Sequence, residues 1–254
     1  MKVANTYITI SDAYSATIRK LLHSPEFVSS PRGQKIYEIS NYSFSVLDPT
    51  SAAISTLDPD RNEVIKKYYE KEKELYNSCS NTAEDFVKAS KFWDKLKNPD
   101  NTINSAYGYL IWKIKNAGNS VWQLYGVKRE EYVERTQWDW AKESLLRDKD
   151  SRQAVMHFNL PTQQWFGNKD FTCTMHVSFM IRENRLNLSI VMRSNDIVKG
   201  SAYDWPWFSS LSEKMVQELK PSYPDLEIGK LNFLAHSMHL YEKDLEIAKK
   251  MIGE

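Results

Sequence analysis

Near the middle of the chain, apolar residues recur every second position along two successive arms. Met175, Val177, Phe179 and Ile181 share one side of the first arm. After a polar turn at 182–185, Leu186, Leu188, Ile190 and Met192 share one side of the second. This alternation predicts two paired antiparallel strands. Helical spacing predicts a first helix carrying Tyr14, Ile18, Leu21 and Leu22, capped by Ser11 or Asp12. The segment SSPRGQK breaks it, and 36–46 reads as strand. The run EVIKKYYEKEKELY is helical, with Val64, Ile65, Tyr68, Tyr69 and Leu75 interrupting its charges. Asn98-Pro-Asp-Asn is a turn, 127–147 a helix with Trp138, Ala141 and Leu145 inward, and 154–158 a short strand. Trp207, Leu211, Met215 and Leu219 mark an amphipathic helix that ends before Pro221. A last helix sets Tyr241, Leu245, Ala248 and Ile252 on one face. Helices and strands interleave without repeat or linker, so the expectation is one mixed α/β (α+β) domain over residues 1–254.

The hairpin reading has a chemical consequence. Cys173 opens it and Arg193 closes it, so a thiol and a guanidinium lie side by side, and the positive charge favours the thiolate. The other cysteine, Cys79, has no such setting and reads as structural. The two match no zinc spacing, and no metal site is expected. A formal net charge of +1 gives no general footprint for nucleic acid. No apolar run approaches membrane-span length, and the first residues lack a signal-peptide core, which suggests a cytoplasmic protein with free thiols. Eight Trp and fourteen Tyr would suit a pocket that stacks flat rings, although aromatic cores are common.

Cys173, then MRSND at 192–196, Gly200 and an acidic residue at 204 together resemble the core of the thymidylate synthase family. The segment DFTCT, the MRSND run and Asp204 are most similar to the bacteriophage deoxycytidylate hydroxymethylases. NSAYG at 104–108, EKELYNSCS at 72–80 and SMHLY at 237–241 resemble further family segments in the right order. Thr174 stands where thymidylate synthases have His, and Phe171-Thr172 replaces their Pro-Pro. Both changes agree with the hydroxymethylase branch.

The resemblance implies a thymidylate synthase fold, a mixed β-sheet flanked by helices. It also implies roles. Cys173 is the nucleophile that adds to C6 of a pyrimidine and makes C5 carbanion-like. Arg193 and Ser194 bind the nucleotide phosphate. Arg32, in a loop, adds a contact, and Arg152 resembles an arginine that the family sends across a homodimer to its partner's phosphate. Gln153 stands where the family has a second such arginine. Glu72 is the general acid/base, with Glu70 and Glu74 as neighbours that the pattern does not exclude. Tyr107 sits near the cysteine and helps remove the C5 proton. His239 and Tyr241, two apart on one extended segment, hold the sugar 3′-hydroxyl. Asp196 contacts the folate, and Asn195 supports the loop.

Asp204 carries the base choice. Uracil presents an N3–H donor and an O4 acceptor, which the two ends of an Asn amide satisfy. Cytosine presents an N3 acceptor and an amino donor, which suit a carboxyl. An unmatched buried polar pair costs on the order of 1–3 kcal/mol, so one residue can decide. The structural alternative for Asp204 is a helix N-cap before WPWF. The implied reaction converts dCMP, 5,10-methylenetetrahydrofolate and water to 5-hydroxymethyl-dCMP and tetrahydrofolate, with a pyrimidine nucleoside monophosphate and folate as partners. The alternatives are CMP as substrate, dTMP or hydroxymethyl-dUMP as product, and a catalytically silent nucleotide- or RNA-binding relative.

Overall fold

The computed structural model describes residues 5–50, 52–115 and 134–254. Among them the strands are β1 Asn5–Tyr7, β2 Phe27–Ser29, β3 Ile36–Val46, β4 Val155–His157, β5 Thr174–Arg182, β6 Arg185–Met192, β7 Asn195–Asp196 and β8 Glu227–Tyr241. The α-helices are α1 Ile10–His23, α2 Pro59–Asn77, α3 Ala83–Ala89, α4 Tyr107–Trp112, α5 Gln137–Arg147, α6 Ala202–Leu219 and α7 Leu245–Met251. One mixed sheet runs β1-β3-β8-β6-β5-β4, with β2 also on β3 and β7 also on β8. Its centre is the parallel pair β6–β8, flanked by the antiparallel pairs β3–β8 and β5–β6.

The hairpin forms as the alternation predicts, with Val177, Phe179 and Ile181 buried beside Leu186, Leu188, Ile190 and Met192. Helix α6 lies over this apolar face. Trp205 meets Phe44 and Phe233 at ring centroids of 4.8 Å and 5.0 Å, and Tyr14 of α1 closes on it edge-on at 6.0 Å. Among the described residues, the buried apolar ones other than Ile36 form one continuous cluster. Among the described residues, no helix is long and apolar enough to cross a membrane.

Four local readings are corrected. Thr9, not Ser11 or Asp12, caps α1, and Asp12 completes the capping box by bonding back to the Thr9 backbone N–H. The helix read at 127–147 begins at Gln137, capped by Thr136 with Asp139. Residues 134–136 precede it, and 127–133 lie outside the described residues. Tyr241 ends strand β8, and the last helix starts only at Leu245. Val64 is exposed, because α2 turns Ile65, Tyr69, Glu72, Leu75 and Tyr76 inward instead.

Candidate active site

A β-bulge between Thr174 and His176 interrupts the β5–β6 ladder. The extra residue shifts the alternation by one. Thr174 therefore points inward with Val177, while Met175 is only half-buried. Thr174 donates to the Tyr107 hydroxyl at 2.9 Å, which ties the cysteine loop to α4. Gly108 follows, where an added Cβ would lie 1.7 Å from the Tyr76 carbonyl oxygen. Only glycine lets α4 come this close to α2. Tyr107 then stacks on Tyr76 at 5.3 Å.

Cys173 and Arg193 are side by side at the mouth of the hairpin. The Arg193 backbone N–H donates to the Cys173 carbonyl at 2.9 Å, and Nη2 reaches Sγ at 3.5 Å. The guanidinium is also held by the carbonyls of Phe171 and Thr172 and lies over the Phe171 ring. The expected pull toward thiolate is present but outweighed. Burial pushes the Cys173 thiol up, Arg193 and Arg32 oppose the rise, and Asp204 and Asp170 add to it. The thiol is the resting form at neutral pH.

Asp170 is a participant that the sequence reading did not single out. Its carboxylate accepts the Ser105 N–H at 2.7 Å and the Ser105 hydroxyl at 2.5 Å, so it pins the start of α4 to the cysteine loop. Its only sequence signal was its place in DFTCT beside NSAYG.

After β6 the chain runs through Ser194, half-buried, and Asn195, buried, into a wide π-helical turn at Ile197–Ser201. Asp196 caps that turn, and its Oδ1 accepts the N–H groups of Val198 and Lys199. Burial raises the Asp196 carboxyl and His239 draws it back. Burial lowers His239, so the pair tends toward neutrality. β7 sets Asp196 opposite His239 on β8, and His239 meets Tyr241 edge-on at 5.2 Å.

Asp204 lies inside the first turn of α6 rather than at its N-cap, which is Ser201. Asn195 Nδ2 donates to Asp204 Oδ2 at 3.0 Å, while Asn195 Oδ1 receives the Ser201 hydroxyl and the Trp205 indole N–H. Asn195 therefore aims Asp204, beyond supporting its loop. A Cβ on Gly200 would fall 2.9 Å from that amide nitrogen, so glycine keeps the pair in place. Burial pushes the Asp204 carboxyl up to about 7 against the Asn195 hydrogen bond.

Among the three clustered glutamates the fold selects one. Glu70 and Glu74 are exposed, while Glu72 is 5% exposed and accepts from the Tyr68 hydroxyl at 3.1 Å. Burial, and then the Asp204 carboxylate facing it, push Glu72 up to about 8. Arg32 sits in an exposed loop with positive φ, and its charge acts on Cys173 and Tyr241. Arg152 is exposed on the 148–154 loop, and the charges acting on Cys173 do not include it. No group of described residues could hold a metal ion.

A mixed sheet with a cysteine–arginine hairpin mouth and two neutralised carboxyls defines a class. The solved structure of thermostable thymidylate synthase A from Bacillus subtilis superposes with a TM-score of 0.67. That match covers 95% of this chain and 83% of that one at 19% identity. The family model "Thymidylate synthase" matches residues 64–254, and the chain belongs to that family. It is 28% identical to the deoxycytidylate 5-hydroxymethyltransferase of Enterobacteria phage T6, over 87% of this chain and 82% of the relative. It is also 26% identical to the deoxyuridylate hydroxymethyltransferase of Bacillus phage SP01, over 85% of this chain and 53% of that protein. The protein is accordingly a folate-dependent one-carbon transferase.

Proposed function

We propose that the protein hydroxymethylates dCMP at C5, taking the carbon from 5,10-methylenetetrahydrofolate and the hydroxyl from water. The observation that carries the substrate choice is the Asn195–Asp204 hydrogen bond. Nδ2 of Asn195 occupies one lone pair of the carboxyl. The remaining oxygen and proton can match the amino group and N3 of cytosine. A carboxyl near 7 is available in both protonation states, so it can donate to N3 and accept from the amino group. Uracil is matched only by the neutral carboxyl, because the ionised form offers O4 no donor, whereas cytosine with N3 protonated is matched by the ionised form as well.

Cys173 loses its proton and adds to C6, and the electron pair moves to C5, which attacks the methylene carbon of the folate. Loss of the C5 proton together with tetrahydrofolate leaves an exocyclic methylene. Water adds there, and the thiolate leaves from C6. Glu72, neutral at pH 7, exchanges a proton with the water near C4 and C5, and Tyr107 assists at the C5 hydrogen. Arg193, Ser194 and Arg32 bind the phosphate, and Arg152 does so from the partner in a homodimer. His239 and Tyr241 hold the 3′-hydroxyl. Asp196 engages the folate, and its Oδ2 carries no hydrogen bond among the described residues.

One experiment tests this reading. The protein is incubated with methylenetetrahydrofolate and dCMP, CMP or dUMP, and the product mass is read. The expected product is 5-hydroxymethyl-dCMP. Cys173→Ser is expected to abolish turnover while nucleotide binding persists, and Asp204→Asn to move preference toward uracil. Product from CMP or dUMP alone would replace the substrate assignment, and turnover by Cys173→Ser would remove the nucleophile.

A further inference from the structure

Glu72, though buried, does not stand alone. Tyr68, one helical turn earlier on α2, donates its hydroxyl hydrogen to Glu72 Oε1 at 3.1 Å. Trp93, buried between Phe86 and Phe92, donates its indole N–H to the Tyr68 oxygen at 3.1 Å. The direction of the first link is fixed by its donor, and the second runs on from the phenol to Oε1. An indole nitrogen can only donate, and a phenol has a single hydrogen. With the Tyr68 oxygen receiving from Trp93, its own hydrogen goes to the carboxyl, and Oε1 is kept as an acceptor. The titratable groups facing Glu72 are Asp204 on α6, which raises it, and Tyr68 and Tyr76 on its own helix, whose hydroxyls both hydrogen-bond it and lower it. Tyr203 packs on Tyr68 at 4.5 Å. Among the described residues, no cation is a cause of the Glu72 shift.

We infer that Tyr68, oriented by Trp93, is a positioning residue that assigns the proton of Glu72 to Oε2. The carboxyl then presents an O–H, not a lone pair, at its second oxygen. This deepens the hydroxymethylation reading and rests on it. A water beside Glu72 is then held as an acceptor until the carboxyl gives up its proton, which orders acid before base. The burial of Glu72, which keeps it protonated up to about pH 8, is consistent with this.

The test needs no turnover. In protein carrying 13C-carboxyl glutamate, with Glu72→Gln used to assign the band, the infrared C=O stretch of neutral Glu72 is titrated with pH. Tyr68→Phe removes the hydrogen bond that favours the anion, so the midpoint is expected to rise by roughly one unit. Trp93→Phe leaves the phenol but frees its hydrogen to turn, and is expected to raise the midpoint by less. In turnover, kcat is expected to fall roughly tenfold in Tyr68→Phe, one pKa unit's worth, and by less in Trp93→Phe, while nucleotide KM stays nearly constant in both. Unchanged midpoints in both variants, or a change in KM alone, would overturn the inference. If the midpoints shift but the wild type makes no hydroxymethyl product, the proton assignment stands and the functional reading falls.

Discussion

Two buried carboxyls held near neutrality, one acting on the other, are costly to the fold, and the cost has a definite sign. Unfolded, Glu72 titrates near its ordinary 4.5, whereas in the native state it titrates at about 8. Below pH 4.5 both states are protonated and nothing is lost. As the pH climbs to 8 only the unfolded chain releases the proton, so native stability falls across that window. At about 1.4 kcal/mol per unit this approaches the order of 3–5 kcal/mol at pH 8. Gln at 72 cannot ionise and still accepts from Tyr68. The expectation is that Glu72→Gln unfolds at higher denaturant than wild type at pH 8, that the gap closes by pH 4.5, and that turnover is lost. Chemical denaturation at the two pH values checks it. The choice of Glu72 was legible in principle, because Ile65, Tyr69, Glu72 and Tyr76 form one helical stripe, with Glu70 and Glu74 off it. Counting charges in EKEKE hides what counting the stripe reveals. Asp170 was not legible, because its partner Ser105 lies 65 positions away and no local pattern announces the bond.

At the level of elements, regular alternation was read well and its interruptions were not. The arms of the β5–β6 hairpin came directly from period two. The bulge that turns Thr174 inward did not, since one extra residue leaves the composition of a strand unchanged. Strand β8 shows the same limit. Leu231, Phe233 and Ala235 alternate, but Met238, His239 and Leu240 are consecutively buried, so both faces of the strand are covered there and the alternation disappears. That is why Tyr241 could be drawn into the following helix. The α2–α4 contact carries its own prediction. Gly108→Ala sets a methyl 1.7 Å from the Tyr76 carbonyl, a backbone atom that cannot turn aside. The helices must separate, at about 1–3 kcal/mol. Tyr107 moves with α4 and its bond to Thr174 is lost. The denaturation midpoint is expected to drop, and kcat to fall further than the unfolded fraction at assay temperature explains. A variant with the wild-type midpoint would show that the two helices are less closely fitted.

For the whole molecule, the two faces of the sheet differ. Helices α1, α5 and α6 cover the face that carries Phe179, Ile190 and Phe233, while His176, Met180, Val191, Asn232 and Leu234 on the other face are only half-buried. Central parallel strands such as β6 and β8 are rarely left open on one side. A second copy meeting this face would cover it and bring the Arg152 loop toward a neighbouring site. Neither the face nor its partner was readable from charge or composition, because Ser, Asn and His alternate there with Val, Leu and Met as they would beside solvent. The proposed homodimer makes a quantitative prediction. Light scattering is expected to give twice the chain mass of 29.7 kDa, and Leu234→Lys to lower it to one chain. Arg152→Ala and Cys173→Ser are each expected to be nearly inactive. In a mixed dimer the Cys173 of one variant receives the Arg152 of the other, so one of two sites is whole. Random exchange makes half the dimers mixed, and activity is expected to recover to about a quarter of wild type. A mixture no more active than the better variant alone would mean that Arg152 does not serve the partner's site.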